Sequence, residues 1–201
     1  MTKKNIVFDF GGVLVDWNPR YLYNDLFDDK TEMEEFLSNV CTNEWNVQQD
    51  AGRSLAEATE LLIEQFPEHQ DMIKRYYDDW KVMLKDEIPE NTALLEPLSK
   101  KYKLFGLTNW SGETFPYAKE RFPFFNKYFE GIVVSGDEKM IKPNKEIFWL
   151  LLERYSISAE ECVFIDDNLD NVIAAKEIGF DTVHLDNGIS LKDSFEQMGI
   201  L

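Results

Sequence analysis

The residues of this sequence best suited to chemistry stand where short apolar runs end. The run "NIVFDF" (5–10) carries Asp9 at its tip, and Gly11-Gly12 follow at once. "KLFGLT" (103–108) ends on Thr108 and Asn109, and "CVFIDD" (162–167) ends on Asp166 and Asp167, with Asp170 just beyond. After "GIVVS" (131–135) comes "DEKMIKPNK", which sets Lys142 directly before a helical pattern. Carboxylates from two strands can hold a hard cation such as Mg2+, which prefers oxygen ligands and keeps waters for a substrate. A lysine neutralises a phosphate dianion, and a threonine hydroxyl donates to one of its oxygens. Brought to one crevice, these groups make a site for phosphate and metal.

The elements between them are of a kind that would bring them together. The apolar runs are continuous rather than alternating, with "TVHL" (182–185) as a fifth, and helical patterns separate the later ones. Such strands belong to a parallel sheet covered on both faces, whose binding crevice lies outside the carboxyl ends of the strands. The expected fold is therefore α/β, a Rossmann-like doubly wound parallel sheet. "PNKEIFWLLLERY" (143–155) places proline at the start of one helix, and "LDNVIAAKEIG" (169–179) stops another on Gly179.

The stretch 17–88 differs, having no strand signal and several helix starts. Asn18-Pro19 opens one, and "TEME" (31–34) and "SLAE" (54–57) read as capping boxes. An all-helical domain over 17–88, inserted into a core of 1–16 and 89–201, would lie over the strand tips as a lid. In "YYDDW" (76–80), the aromatic stripe reads as the core of that insert.

Bulk properties limit the partners. A net charge of -17 repels nucleic acid and anionic membrane surfaces. No run approaches the roughly 20 apolar residues of a membrane span, and the N-terminal stretch is too short and polar for a signal peptide. Cys41 and Cys162 lie far apart in sequence and suit a reduced, cytoplasmic setting. A monomer or weak homodimer acting on a small phosphorylated substrate is expected.

In order and spacing, "FDFGGVL", "LTNW", "IKPNKEIF" and "FIDDNLDN" resemble the four motifs of the haloacid dehalogenase superfamily over nearly the whole chain. The insert resembles that family's helical cap. The resemblance implies a Mg2+-dependent phosphatase in which Asp9 attacks phosphorus and forms an aspartyl-phosphate, while Thr108 and Lys142 hold the phosphoryl oxygens. It implies Mg2+ bound by Asp9, Asp167 and the backbone carbonyl of Gly11, with Asp166 as a further ligand or supporting partner and Asp170 as an orienting acid. Asn109 and Trp110, beside Thr108, are substrate-binding candidates. The cap stretch "WNVQQDAGRS" (45–54), read as a turn between helices, adds Gln49, Asp50 and Arg53.

One position departs from the pattern. Most phosphatases of the superfamily read D-x-D, the second Asp protonating the leaving oxygen and later activating water, whereas this sequence has Gly11 there, as does a D-x-G-G branch of the family. Three readings follow. The leaving group needs little protonation; another group, Asp16 or a cap residue, stands in; or the protein is slow or inactive. The rivals to a phosphatase are a 2-haloacid dehalogenase-type hydrolase, which needs no metal carboxylates, and a catalytically weak phosphate-binding protein.

Overall fold

The computed structural model describes residues 2–186 and 188–201. Five strands, β1 (Asn5–Phe8), β4 (Lys103–Thr108), β5 (Phe129–Val134), β6 (Cys162–Asp166) and β7 (Asp181–His184), form one parallel sheet in the order β5-β4-β1-β6-β7. β1 sits at its centre, flanked by β4 and β6, so the tips that carry Asp9, Thr108 and Asp166 are neighbours. The backbone N–H of Asp9 still donates to Ile165, at 2.9 Å, which holds the tip of β1 against β6.

Both faces of the sheet are covered, as the continuous apolar runs require. Alternate residues of β1 go to opposite sides. Ile6 and Phe8 join the larger core, and Val7 packs with Phe105, Leu107, Phe148 and Phe164 in the smaller one. The helix Lys145–Tyr155 starts after its cap Asn144, so Pro143 precedes the helix rather than opening it. The helix Leu169–Ile178 ends on Gly179 at φ +111°.

Between β1 and β4 the chain makes a second, antiparallel ribbon of β2 (Val15–Trp17) and β3 (Leu84–Glu87). The sequence gives no sign of β3, a correction to the strand-free reading of 17–88. Helices fill the stretch between the ribbon strands. Helix Lys30–Asn39 is capped by Asp29, whose side chain accepts from Thr31, so the cap lies two residues before the expected Thr31. Ser54 caps Leu55–Gln65 as the sequence indicates. Tyr23, Phe36, Trp45 and Tyr76 form the aromatic centre of this helical part. Residues 45–54 are not mainly a turn: Asn43–Asp50 is a helix capped by Thr42, and the turn is confined to the residues after it.

Candidate active site

The crevice at the strand tips holds three carboxylates and one lysine. Asp9, Asp166 and Asp167 each offer an oxygen, and these oxygens lie within 4.8 Å of one another. Lys142 is fully buried, with Nζ 2.7 Å from Asp166 Oδ2 and 3.0 Å from Asp9 Oδ1. The Lys142 main chain is clamped by Asn109, whose Nδ2 donates to the Lys142 carbonyl (2.9 Å) and whose Oδ1 accepts from its N–H (2.8 Å). The polar side chain after β4 thus fixes the lysine's backbone, a role beyond the substrate contact expected of it.

Electrostatics explain why the cluster suits a cation. Burial pushes the Asp9 carboxyl up to about 7, Lys142 opposes this, and Asp166 and Asp167 reinforce it. Partial desolvation at the crevice and the neighbouring Asp166 also raise Asp167, although that residue is exposed on its outer side. Burial would lower Lys142, but Asp166 and Asp9 outweigh it and hold the ammonium above its ordinary value. We take Lys142 as charged throughout, with the excess negative charge confined to the carboxylates, which one lysine cannot balance. The backbone has made room for them. Gly12 sits at φ +68°, and a Cβ there would collide with the Asp167 carboxylate. Asp9 Oδ1, although ion-paired, and Thr108 Oγ1 are buried without a hydrogen-bond partner among the described residues. The donor set is all oxygen, compact and under-neutralised, and it fits a hard divalent cation beside a phosphate.

Asp170 departs from its expected orienting role. It is exposed at the start of helix Leu169–Ile178, its N–H bonded to Asn168. Asn171 is the residue that grips Asp166, its Nδ2 lying 3.0 and 3.1 Å from the two carboxylate oxygens. The asparagine stands inside "FIDDNLDN", but an amide in a helix carries no signal of its own.

A cavity of about 140 Å³ opens between the helical part and the tips of the sheet. Its walls include Gly11, Asn109 and Trp110 from the core side and Asn46, Asp50, Tyr77 and Trp80 from the helices. The cap candidates divide here. Gln49 is buried in internal bonds, its Nε2 donating to Trp45 O and Tyr77 Oη, both at 2.7 Å. Arg53 Nε donates to Gln49 Oε1 at 2.8 Å. Both residues brace the helix, contrary to the expectation of substrate contact, while Asp50 faces the cavity. Trp110 lines it too, fixed by its indole N–H to Thr114 Oγ1 at 3.0 Å. Trp17 carries no signal of its own in the sequence, and Tyr77 and Trp80 stand in "YYDDW", where a stripe that could stack on a sugar reads the same as the core of the insert.

The fold and this constellation belong to one class. The family model for haloacid dehalogenase-like hydrolases matches residues 6–185, and the chain belongs to that family. It is similar to a sesquiterpene phosphatase of Aspergillus oryzae, 25% identical over 94% of this chain and 93% of that one. A D-ribitol-5-phosphate phosphatase of Bacteroides thetaiotaomicron is 24% identical over 92% and 93% of the two chains. Among solved structures, a haloacid dehalogenase-family enzyme of Bacteroides thetaiotaomicron superposes with a TM-score of 0.78 at 26% identity, covering 97% of this chain and 99% of that one. The same enzyme crystallised with magnesium and inorganic phosphate gives a TM-score of 0.73 at 25% identity over 96% and 99%. The chain is thus a hydrolase whose relatives carry phosphatase names, whose solved neighbours hold magnesium, and whose own acidic group can hold a metal. Among the described residues, no helix is long and apolar enough to cross a membrane.

Proposed function

We propose that this protein is a Mg2+-dependent phosphomonoesterase that works through an aspartyl-phosphate on Asp9. The observation that carries the reading is the Thr108 hydroxyl, buried with no hydrogen-bond partner among the described residues, beside the buried Lys142 and the Asp9 carboxylate ion-paired to it. An unsatisfied buried hydroxyl is costly, and a phosphoryl oxygen bound there accepts from Thr108, while the Asp9 carboxylate is balanced by Lys142 and a cation. Thr108 donates to one phosphoryl oxygen, Lys142 neutralises another, and Asp9 attacks phosphorus. Asp9, Asp167 and the Gly11 carbonyl would hold Mg2+, with Asp166 behind them, and the cation would supply charge neutralisation at the transferring group. Asp166 and Asn109 keep Lys142 in place. The three clustered carboxylates favour this reading over a dehalogenase, for which they would be an unneeded cost.

Residues 17–88 act in this reading as a cap that supplies the wall opposite the phosphate. Indole and phenol faces with the amide of Asn46 and the acid of Asp50 suit a small hydroxylated group, since aromatic walls with a few polar groups recognise such ligands. The ribitol phosphate phosphatase among the relatives supports a sugar or polyol phosphate. Phosphate release from such a panel, with Mg2+ and with excess chelator, tests the proposal. Asp9→Asn keeps the shape but removes the nucleophile, and turnover should fall at least about 10³-fold while the thermal transition is retained. Near-normal turnover by that variant, or full activity in chelator, would refute it.

A further inference from the structure

The inference rests on the phosphatase reading and concerns the proton for which Gly11 has no side chain. Asp16 does not fill the gap: its carboxylate accepts the Tyr21 hydroxyl at 2.6 Å on the β2 ribbon and does not line the cavity. Asp50 is the only carboxylate among the described residues that lines the cavity together with Gly11. It reaches there from the end of helix Asn43–Asp50, which is pinned to the core by Ser135 Oγ donating to the Asp50 carbonyl at 2.6 Å.

Among the described residues, the groups packed round Asp50 give its carboxyl no cation partner. Arg53 is turned to Gln49 Oε1 and to Trp45 O. Tyr76 and Tyr77 face it from helix Gln70–Asp78, and the Ser111 N–H reaches it from the loop after β4. On the core segment beneath, the Lys139 side chain lies against Gly52, Asp137 lies against Gly112, and Glu138 is paired with Arg154.

We propose that Asp50 is the general acid and base of the reaction, delivered by the helical cap in place of the missing acid at position 11. In the first half-reaction an Asp9 oxygen bonds to phosphorus as the ester P–O bond breaks. The departing oxygen takes the Asp50 proton and leaves as the neutral alcohol. In the second, a water oxygen attacks phosphorus, its proton passes to the Asp50 carboxylate, and the P–O bond to Asp9 breaks. Orthophosphate leaves, with Asp9 as carboxylate and Asp50 as acid again. Burial pushes the Asp50 carboxyl up to about 7, against a smaller pull from the Ser111 N–H, which suits a group that must both give and take a proton near neutrality.

The test compares glycerol 1-phosphate, whose alkoxide needs a proton, with p-nitrophenyl phosphate, whose phenolate does not. In single-turnover release of the alcohol, Asp50→Asn should slow glycerol phosphate by about 10²- to 10⁴-fold and the aryl ester by less than about tenfold. Adding Gly11→Asp to that variant should restore at least about tenfold of the glycerol phosphate rate. Equal losses on both esters, or no loss on either, would overturn the assignment. Should Asp50→Asn fold poorly, the natural protein still decides. Its glycerol phosphate rate should fall above about pH 7 relative to its aryl rate, and parallel profiles would overturn the proposal. If instead Asp9→Asn still cleaves p-nitrophenyl phosphate, the phosphatase reading is what fails.

Discussion

Two adjacent glycines follow Asp9, and they have different physical reasons. Gly12 needs to be glycine twice over, for its φ of +68° and for the Asp167 carboxylate that occupies the space of a side chain. Gly11 has no such constraint, since a Cβ there meets nothing within 4 Å. The sequence suggested that a tight turn and close approach to the metal site lie here, but it could not say which glycine carries them. Gly12→Ala should cost about 1–2 kcal/mol for the left-handed backbone alone, and it should displace Asp167 and blunt any response to Mg2+. Gly11→Ala should shift the melting temperature by no more than about 2 °C. Thermal scans of the two variants check this, and greater damage from Gly11→Ala would contradict the assignment. The same open space makes Gly11→Asp a usable rescue variant for Asp50.

At the scale of elements, the sheet was legible because buried parallel strands write themselves as unbroken apolar runs, and their tips carried Asp9, Thr108 and the Asp166-Asp167 pair into view. The helical insert was legible as helices but not in its joints. β3 is short and polar, with three of its four residues exposed, so no periodicity could reveal it. Helix Asn43–Asp50 is dense in amides and acids, which read as a turn, although Thr42 stands three residues before Trp45 as its cap. The consequence for function is that Asp50 belongs to a helix end fixed on the core, not to a free loop. Ser135 makes that fixation, accepting from the Trp110 N–H at 2.9 Å while donating to Asp50 O. Ser135→Ala leaves both groups unpaired and should cost about 1–3 kcal/mol in denaturant unfolding. It should also raise KM for a polyol phosphate, because the wall formed by Asp50, Asn46 and Trp110 loosens. A variant unchanged in both would show that the helix is held by other contacts.

Over the whole molecule, a net charge of -17 lets two effects of added salt look alike. Any electrolyte screens self-repulsion and stabilises the fold, whereas a bound cation stabilises by preferential binding to the native state. The site separates them, because the close carboxylates of Asp9, Asp166 and Asp167 gain from a cation far more than from screening. At constant ionic strength, Mg2+ at about 100 times its Kd should add about 2.7 kcal/mol, or roughly 5–10 °C at about 2–4 °C per kcal/mol for a chain of this size. Asp167→Ala should abolish that increment and keep the rise with sodium chloride. The Mg2+ increment should also depend on pH. Burial pushes the Asp9 carboxyl up to about 7, so below that value the cation must displace a proton. Its affinity therefore falls as pH falls, and the shift in melting temperature should be larger at pH 8 than at pH 6. An equal shift at both pH values, or one that survives Asp167→Ala, would place the bound Mg2+ somewhere other than the tips of β1 and β6.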